Sequence, residues 1–189
     1  MNHKGTKTIE TARLILRPFQ ISDAAPMFRN WQSDARVTTF LRWKNAQHIS
    51  ETEQVLSNWI KGYEKSDFYQ WAIVLKEIAE PIGSISVVGK NERVNMVHIG
   101  YCIGSQWWHR GITTEAFRAI IPFFFEEVGV NRIESQHDPN NPNSGMVMQK
   151  CGLKYEGTLL QADLSNQGIV DACMYRLLKS EWENERKTL

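Results

Sequence analysis

Hydrophobic and polar residues alternate along three neighbouring segments in the middle of the chain. The period of two over Tyr69–Leu75, Ile82–Val88 and Met96–Ile103 predicts three consecutive β-strands, because alternate side chains of a strand face opposite sides of a sheet. Turn-forming residues lie between these segments, at Glu80–Pro81 and at Gly89–Glu92. Connections this short predict an antiparallel meander.

Elsewhere the apolar period is that of a helix. Ser50–Glu53 has the sequence of a capping box and precedes an apolar stripe over residues 55–63, which predicts a helix. A second apolar stripe covers residues 116–128, and Pro122 is expected to kink or break that helix. A short helix is expected over Ser144–Cys151.

Further strands complete the predicted sheet. They are expected at Arg13–Arg17, Arg132–His137, Tyr155–Gln161 and Asp171–Leu178. A turn over Ser165–Gly168 joins the last two strands, and a short helix is expected to end near Trp31. Together the elements predict one α/β (α+β) domain, a mixed and mostly antiparallel sheet flanked by helices.

The predicted domain uses nearly the whole chain of 189 residues. No linker, repeat or low-complexity segment interrupts it, so we expect one folded unit over residues 9–183. Residues 1–8 and 184–189 are expected to form flexible tails.

Composition narrows the function mainly by exclusion. The chain is 42% hydrophobic and 23% charged, the balance of a soluble globular protein. Its 22 basic and 21 acidic residues leave a net charge of +1, which argues against nucleic acid or a membrane surface as a partner. The apolar runs are too short to span a membrane and the first residues lead into no apolar stretch, so a cytoplasmic location is expected.

The cysteines and histidines give no metal signature. The three cysteines, Cys102, Cys151 and Cys173, are widely spaced, and the five histidines are scattered. Without a Cys-x-x-Cys pair, the sequence predicts neither a disulfide framework nor a metal site.

The segment between the last meander strand and the long helix carries the clearest chemical signal. The first amides of a helix are unpaired, and Gly111 allows an anion to approach them, with hydroxyl groups from Thr113 and Thr114. Arg110 adds a positive charge. The chain lacks Gly-x-Gly-x-x-Gly and Gly-Lys-Ser/Thr, which excludes the common dinucleotide and nucleoside triphosphate loops. A phosphate site on a mixed sheet remains, with an ordinary turn or helix cap as the alternative.

Two motifs appear in order, about 30 residues apart. The first is Trp108-His109-Arg110-Gly111-Ile112-Thr113, preceded by Gly100-Tyr101-Cys102-Ile103 and followed by Thr114-Glu115-Ala116. The second comprises Asn141-Pro142-Asn143-Ser144 and Gln149-Lys150-Cys151-Gly152-Leu153. They resemble the pyrophosphate motif Arg/Gln-x-x-Gly-x-Gly/Ala and the Asn-x-x-Ser motif of the GCN5-related N-acetyltransferase (GNAT) superfamily, in particular its RimJ/RimL branch, which acetylates ribosomal-protein N-termini.

This resemblance implies acetyl-CoA as the acetyl donor and no metal. The pyrophosphate would rest on the main-chain amides from His109 to Thr114, and Asn141 and Asn143 would hydrogen-bond the pantetheine arm. Trp108, His109 and Thr113 depart from the commoner residues at their positions, which binding through main-chain amides tolerates.

The resemblance also implies that the sheet is splayed between the fourth and fifth predicted strands, Met96–Ile103 and Arg132–His137. The pantetheine arm would lie in this gap and pair with the main chain at Cys102 and Ile103. A strand amide near Ile103 would hold the oxyanion.

Two residues are candidates for proton transfer. His98 stands where this branch often has a glutamate, and a neutral imidazole can accept the proton of an attacking amine; a histidine without a proton role is the alternative. The tyrosine that often protonates the leaving thiolate in this family is replaced by Met148. Ser144 is then the available acid, with a helix N-cap as its alternative role.

The acceptor is less well defined by the sequence. Trp43 and His48 match a segment that often borders the acceptor site in this branch, although packing is an alternative role, and specificity is expected from the loop Phe40–Ser50. A protein α-amine, with a pKa of roughly 7.7–8.0, needs less help from a base than lysine does. The predicted function is therefore transfer of acetyl to a protein N-terminal α-amine. A small-molecule amine (a polyamine, an aminoglycoside or an amino acid) and a non-catalytic acetyl-CoA-binding module are the alternatives, and a homodimer is left open.

Overall fold

The computed structural model describes residues 1–187 and builds a central sheet from eight strands. The strands are β1 Ile9–Glu10, β2 Leu14–Arg17, β3 Gln70–Leu75, β4 Glu80–Asn91, β5 Met96–Ile103, β6 Arg132–His137, β7 Lys154–Ser165 and β8 Gly168–Leu178. Their order is β1-β2-β3-β4-β5-β6-β8-β7, and among them only β5 and β6 run parallel. The predicted meander is β3-β4-β5, and the prediction of a mixed, mostly antiparallel sheet is confirmed.

Helices flank this sheet. The α-helices of the described residues are α1 Ala24–Met27, α2 Ala35–Thr38, α3 Ile49–Gly62, α4 Ile112–Pro122, α5 Pro142–Lys150 and α6 Lys179–Lys187. Two of the helices, α1 and α4, pass directly into π-helical turns, at Phe28–Gln32 and at Phe123–Val128.

The sheet separates two apolar clusters. On one face the sheet packs against α4 and its π-helical continuation, where Phe117 and Phe124 are fully buried. On the other face it packs against α1 and α3, where Trp31 and Leu56 are fully buried. Because both faces are covered, every residue of β3 is buried and the strand is almost continuously apolar.

Helix α3 begins before the predicted capping box. Its N-cap is His48, whose main-chain N–H donates to the Glu51 carboxylate at 2.9 Å, and the N–H of Gln47 donates to the same oxygen at 3.0 Å. The prediction that Ser50–Glu53 forms the capping box is therefore wrong. The carboxylate that satisfies the free amides belongs to Glu51, which sets the start of the helix two residues earlier.

The long helix is not broken at its proline. Pro122 is the last α-helical residue, and the chain continues as the π-helical turn Phe123–Val128 until Gly129, which has a φ of 77°. A proline cannot donate the usual hydrogen bond, and the wider turn lets the helix continue past it.

Strands β5 and β6 pair over a short length. Their register joins Met96 to Arg132, Val97 to Ile133 and His98 to Glu134. Beyond this point β5 continues on β4 and β6 continues on β8, so the two parallel strands separate. The predicted splay is confirmed, and it leaves an open gap between the carboxyl ends of both strands.

The first residues lie against the body of the domain. The N–H of Asn2 donates to the carbonyl of Val128, and the N–H of Gly5 donates to the carbonyl of Ser66, both at 2.7 Å. These two bonds join the segment to the domain, and the flexibility of residues 1–8 stays a prediction.

The C-terminal segment continues as a helix. Helix α6 extends to Lys187 and packs through Trp182 on Phe125, with ring centroids 5.3 Å apart. The helix thus covers the beginning of the expected tail at 184–189, and residues 188 and 189 lie outside the described residues.

Candidate active site

The loop between β5 and α4 presents main-chain amides to the outside. Gly111 is the N-cap of α4 with a φ of 71°, and His109 is also left-handed with a φ of 61°. The first intrahelical bond runs from the N–H of Glu115 to the carbonyl of Gly111, so the amides of residues 112–114 precede the ladder. Free amides and the positive end of the helix dipole suit an anion, which is the chemistry that the sequence predicts for this loop.

Hydrogen bonds from the β1–β2 turn, about 100 residues earlier in the sequence, hold this loop in place. The Glu115 carboxylate accepts hydrogen bonds from the Thr11 hydroxyl at 2.6 Å and from Arg13 Nε at 2.7 Å. Arg13 also donates to the carbonyl of Arg110 at 3.0 Å. Burial opposes ionisation of Glu115, but these donors outweigh it and lower the pKa of its carboxyl group. Glu115 thus stays charged and holds the start of α4 to the β1–β2 turn.

A cavity of about 310 Å³ lies beside the loop. Of the predicted donor-binding residues, those that line it are Cys102, Ile103, Trp108, His109, Gly111, Ile112, Thr113, Thr114, Asn141 and Asn143. Arg110 is exposed and contributes its main chain to the loop rather than a side chain to the cavity wall. The free main-chain amides at its edge suit the pyrophosphate of acetyl-CoA.

The free edge of β5 offers fewer groups than the sequence predicted. The carbonyl of Ile103 already accepts the Trp108 indole N–H at 3.0 Å, and the carbonyl of Ile99 accepts the Ser135 hydroxyl at 2.8 Å. Because these two carbonyls face the gap, the main chain of Tyr101 faces it as well.

The main chain of Cys102 faces the opposite way. Its carbonyl approaches β4 so closely that a Cβ on Gly83 would lie 2.4 Å from it. The predicted pantetheine pairing at Cys102 is therefore wrong in register. The edge facing the gap keeps the N–H of Ile103 and the N–H and carbonyl of Tyr101.

A second, larger cavity of about 550 Å³ adjoins the first. The two cavities share walls at Phe40, Leu41, Tyr101, Cys102, Asn141 and Ser144. The shared walls lie where β5 and β6 have separated and where α5 begins. We call the smaller cavity the donor cleft and the larger one the acceptor cavity. The two meet beside the free edge of β5.

His98 lies in the acceptor cavity. Its side chain is 17% exposed, and Nδ1 is 3.9 Å from an oxygen of Glu134. Burial lowers the pKa of the imidazole, and the nearby carboxylate opposes this only in part, so the ring is neutral at pH 7. Four residues along the strand separate His98 from Cys102, about 13 Å, so His98 lies well back from the meeting point of the cavities.

Ser144 pairs with a residue to which the sequence gave no role. Its hydroxyl donates to the Tyr101 hydroxyl at 3.0 Å, and the Tyr101 hydroxyl donates to the carbonyl of Ser144 at 2.8 Å. Burial raises the pKa of Tyr101, so the phenol stays protonated. Asn141, not Ser144, is the N-cap of α5, which excludes the alternative role of Ser144 as the helix cap.

The start of α5 is packed tightly against β6. A Cβ on Gly145 would lie 2.5 Å from His137 Nε2, so only glycine permits this approach. Met148 is fully buried and therefore belongs to the core, while Asn141 borders both cavities and Asn143 the donor cleft.

Only one of the two predicted acceptor-site residues lies in the acceptor cavity. Trp43 is part of its wall. His48 caps α3 and is exposed, and neither cavity of the described residues includes it. The position of His48 outside both cavities gives no support for a role at the acceptor site, and that role stays a prediction.

The wall around Trp43 is held by the hairpin of β7 and β8. Asn166, at the tip of the hairpin, donates through Nδ2 to the carbonyls of Thr38 and Trp43, both at 2.8 Å. Arg42 pairs with Asp163 of β7 at 2.7 Å. These contacts between distant segments could not be found from the sequence, which gave no role to the hairpin tip.

Two further properties of residues 1–187 bear on function. Within that range, no three His, Cys, Asp or Glu side chains are grouped so that they could hold a metal ion. No helix in the described part of the chain is long and apolar enough to cross a membrane.

Comparison with known proteins agrees with this geometry. The sequence model of the acetyltransferase (GNAT) domain matches residues 13–154. N-acetyltransferase p20 of Bacillus licheniformis is 26% identical over 176 residues, 93% of this chain and 98% of that protein. The ribosomal protein uS5-alanine N-acetyltransferase of Escherichia coli is 32% identical over 137 residues, 61% of this chain and 71% of that protein.

A solved structure shares the fold. Mycobacterium smegmatis RimJ in complex with CoA-disulfide is 20% identical, with a TM-score of 0.84 over 96% of this chain and 91% of that one. The family match begins at Arg13, which clasps the donor loop, and extends past both motifs to residue 154. The chain therefore belongs to the GNAT acetyltransferase family and is an acetyl-CoA-dependent N-acetyltransferase.

Proposed function

We propose that this enzyme transfers the acetyl group of acetyl-CoA to the α-amine of a protein N-terminus, by direct attack of the amine on the thioester. The observation that carries the proposal is the junction of the donor cleft and the acceptor cavity at Tyr101, Cys102 and Ser144. An amine entering from the larger cavity meets the thioester there without a covalent enzyme intermediate.

The acceptor class is supported by the chemistry of the cavity. Its wall includes the neutral imidazole of His98, and a protein α-amine with a pKa of roughly 7.7–8.0 is already neutral in part at pH 7. A lysine side chain, with a pKa near 10.4, would need a stronger base close to the nitrogen. The relative that acetylates an alanine of ribosomal protein uS5 is consistent with this choice, at 32% identity.

The reaction steps follow from the positions of the side chains. The pyrophosphate binds to the amides of residues 112–114, and the N–H of Ile103 donates to the thioester oxygen as it becomes an oxyanion. A C–N bond forms and the C–S bond breaks. The departing thiolate takes the proton of the Ser144 hydroxyl, and His98 takes the proton of the amine through intervening water. Solvent then returns a proton to Ser144 and receives the proton held by His98.

A small-molecule amine is the second candidate acceptor. The observation that favours it is the cavity wall at Arg42 and Trp43, which Asp163 and the hairpin tip residue Asn166 hold in place. A wall fixed in this way suits a compact acceptor as well as the first residues of a peptide.

A thiol-release assay with acetyl-CoA separates these candidates. We expect release with peptides that begin with alanine or serine, and little release with spermidine, an aminoglycoside or a free amino acid. Release with a small amine and none with peptides would contradict the N-terminal proposal. Binding of acetyl-CoA without release on any amine would instead identify a non-catalytic module.

A further inference from the structure

Within the described residues, two polar side chains in the acceptor cavity are buried without a partner. The Oδ2 atom of Asp138 and the Oε1 atom of Gln32 are shielded from solvent and have no hydrogen-bond partner, and both residues line this cavity. Asp138 is 8% exposed and Gln32 is 6% exposed. Buried acceptors are normally satisfied, so each is expected to receive a hydrogen bond from whatever enters the cavity.

The carboxylate of Asp138 is held in a fixed orientation. Its other oxygen, Oδ1, accepts the N–H of Asn140 at 2.8 Å. The main-chain carbonyl of Asp138 accepts the N–H of Asn141 at 2.7 Å and is 2.8 Å from Nδ1 of His137. One oxygen is thus used by the protein, and the second is left for the cavity.

The strand register shows how far Asp138 lies beyond the last pair of β5 and β6. The last pair of β5 and β6 is His98 with Glu134; four residues farther along the chain are Cys102, still in β5, and Asp138, the first residue after β6. The two residues therefore lie on opposite sides of the gap, beyond the last β5–β6 pair. Cys102 borders both cavities, whereas Asp138 borders the acceptor cavity alone.

We propose that Asp138 binds the nitrogen of the acceptor amine, an inference that rests on the proposed function. Its free oxygen accepts an N–H hydrogen bond from the amine across the gap from the thioester, with Gln32 available for a further N–H. A neutral primary amine supplies both of these N–H groups while its lone pair attacks the carbonyl carbon, whereas a secondary amine has only one N–H to donate. His98, about 13 Å back along the strand, cannot make this direct contact.

The test is a comparison of Asp138→Asn with wild type. Asparagine keeps the Oδ1 acceptor for Asn140 but removes the charge of the carboxylate. A hydrogen bond to a charged group is worth enough that KM for an alanine-initiated peptide amide should rise about tenfold or more. KM for acetyl-CoA and the thermal unfolding temperature should stay within twofold and a few degrees of wild type.

Asp171→Asn is the matched control. Asp171 also accepts a main-chain N–H through Oδ1, from Gln161 at 2.8 Å, but it lines neither cavity of the described residues. We expect no change in the KM for the peptide in this variant.

Calorimetric titration of the same peptide into the protein saturated with CoA supplies a readout without turnover. Weaker binding to Asp138→Asn than to wild type is expected. Equal binding by the two proteins, no binding even to wild type, or a weakened affinity for acetyl-CoA in the variant would overturn the assignment of Asp138. Peptide binding by wild type without thiol release would count against the proposed function and leave the binding role of Asp138 intact.

Discussion

Two left-handed residues within three positions define the donor loop. Gly111 adopts its φ of 71° without strain, whereas His109 adopts a φ of 61° where the family motif commonly has glycine. An L-residue in this region costs about 1–2 kcal/mol, so the loop stores strain at His109. The departure from the motif therefore costs stability and leaves the main-chain amides in place.

Replacing Gly111 with alanine should have two separable effects, main-chain strain and obstruction of the approaching anion. We expect a loss of about 1 kcal/mol in the free energy of unfolding and an increase of about tenfold in the Kd for acetyl-CoA. Within 4 Å the new Cβ would have one protein neighbour, the Arg13 side chain at 3.8 Å. It would therefore project into the open space from which the anion approaches. Urea unfolding and calorimetric titration measure the two effects.

Gly129→Ala is the control for this prediction. Gly129 has a φ of 77°, no atom lies within 4 Å of its added Cβ, and it is remote from the donor cleft. It should lose similar stability while keeping the wild-type Kd. An equal increase in Kd for both variants would contradict the predicted approach of the anion at Gly111.

The protonation of His98 predicts a pH dependence. Burial lowers its pKa below the usual 6.5, so the unfolded state binds the proton more readily and stability falls as the pH drops below 6.5. The neutral ring, which is the proposed base, is protonated over the same pH range. This predicts an acidic limb of kcat/KM below pH 6.5. Because the acceptor amine is also protonated in this range, log kcat/KM should fall with a slope of about two below pH 6.5 in wild type and in His3→Asn, and with a slope of about one in His98→Asn, as steady-state profiles from pH 5 to 8 would reveal. A limb unchanged in His98→Asn would remove His98 from proton transfer.

At the scale of elements, the β7–β8 hairpin shapes a site to which it contributes no catalytic group. Its tip residue Asn166 bridges the carbonyls of Thr38 and Trp43 and also donates its main-chain N–H to Leu41 at 3.0 Å. The loop from which specificity is expected is thus held by a strand pair more than 100 residues away in sequence.

Asn166→Ala should loosen the acceptor wall. Two side-chain hydrogen bonds are lost, each worth about 1 kcal/mol, while the main-chain bond to Leu41 remains. KM for the acceptor amine should rise several-fold, with KM for acetyl-CoA unchanged, in steady-state assays that vary each substrate in turn. Gln167→Ala, whose side chain reaches Thr39 only at 3.5 Å, should have a much smaller effect. Similar effects of both substitutions would indicate a general disturbance of the hairpin.

At the scale of the whole molecule, the two faces of the sheet are tied together by β3. Trp71 and Ile73 belong to the cluster under α4, while Ala72 and Val74 belong to the cluster under α3. Because alternate residues of one strand serve both clusters, we expect the domain to unfold as a single cooperative unit.

Leu56→Ala tests this cooperativity. Leu56 is fully buried on α3, and its truncation should cost about 2–5 kcal/mol. Fluorescence and circular dichroism should report one coincident urea transition shifted to lower concentration. Ile60, one turn later and 37% exposed, supplies the control, since its replacement by alanine should cost about 0.5 kcal/mol or less. Two separate transitions would show that the faces unfold independently.

Most features set by neighbouring residues could be predicted from this sequence, whereas contacts between segments far apart in the chain could not. The meander, the phosphate loop at Gly111 and the splay could be predicted, the first two from local patterns and the last from a resemblance carried by two motifs. The start of α3 could not, because Glu51 and Glu53 each form an acidic N3 position for a different N-cap, and in the structure Glu51 accepts the main-chain N–H of His48. Tyr101 was visible as a motif residue, but its bond to Ser144 forms only when β5 and α5 meet.

The sequence by itself determined the elements and the donor chemistry, because alternation, capping and a glycine before a helix act over a few neighbouring residues. The tertiary structure decided which groups share the gap between β5 and β6. It turned the main chain of Cys102 away, occupied the carbonyl of Ile103 with Trp108, and left one oxygen of Asp138 free. These outcomes depend on strand register and on contacts between distant segments, which local patterns do not encode.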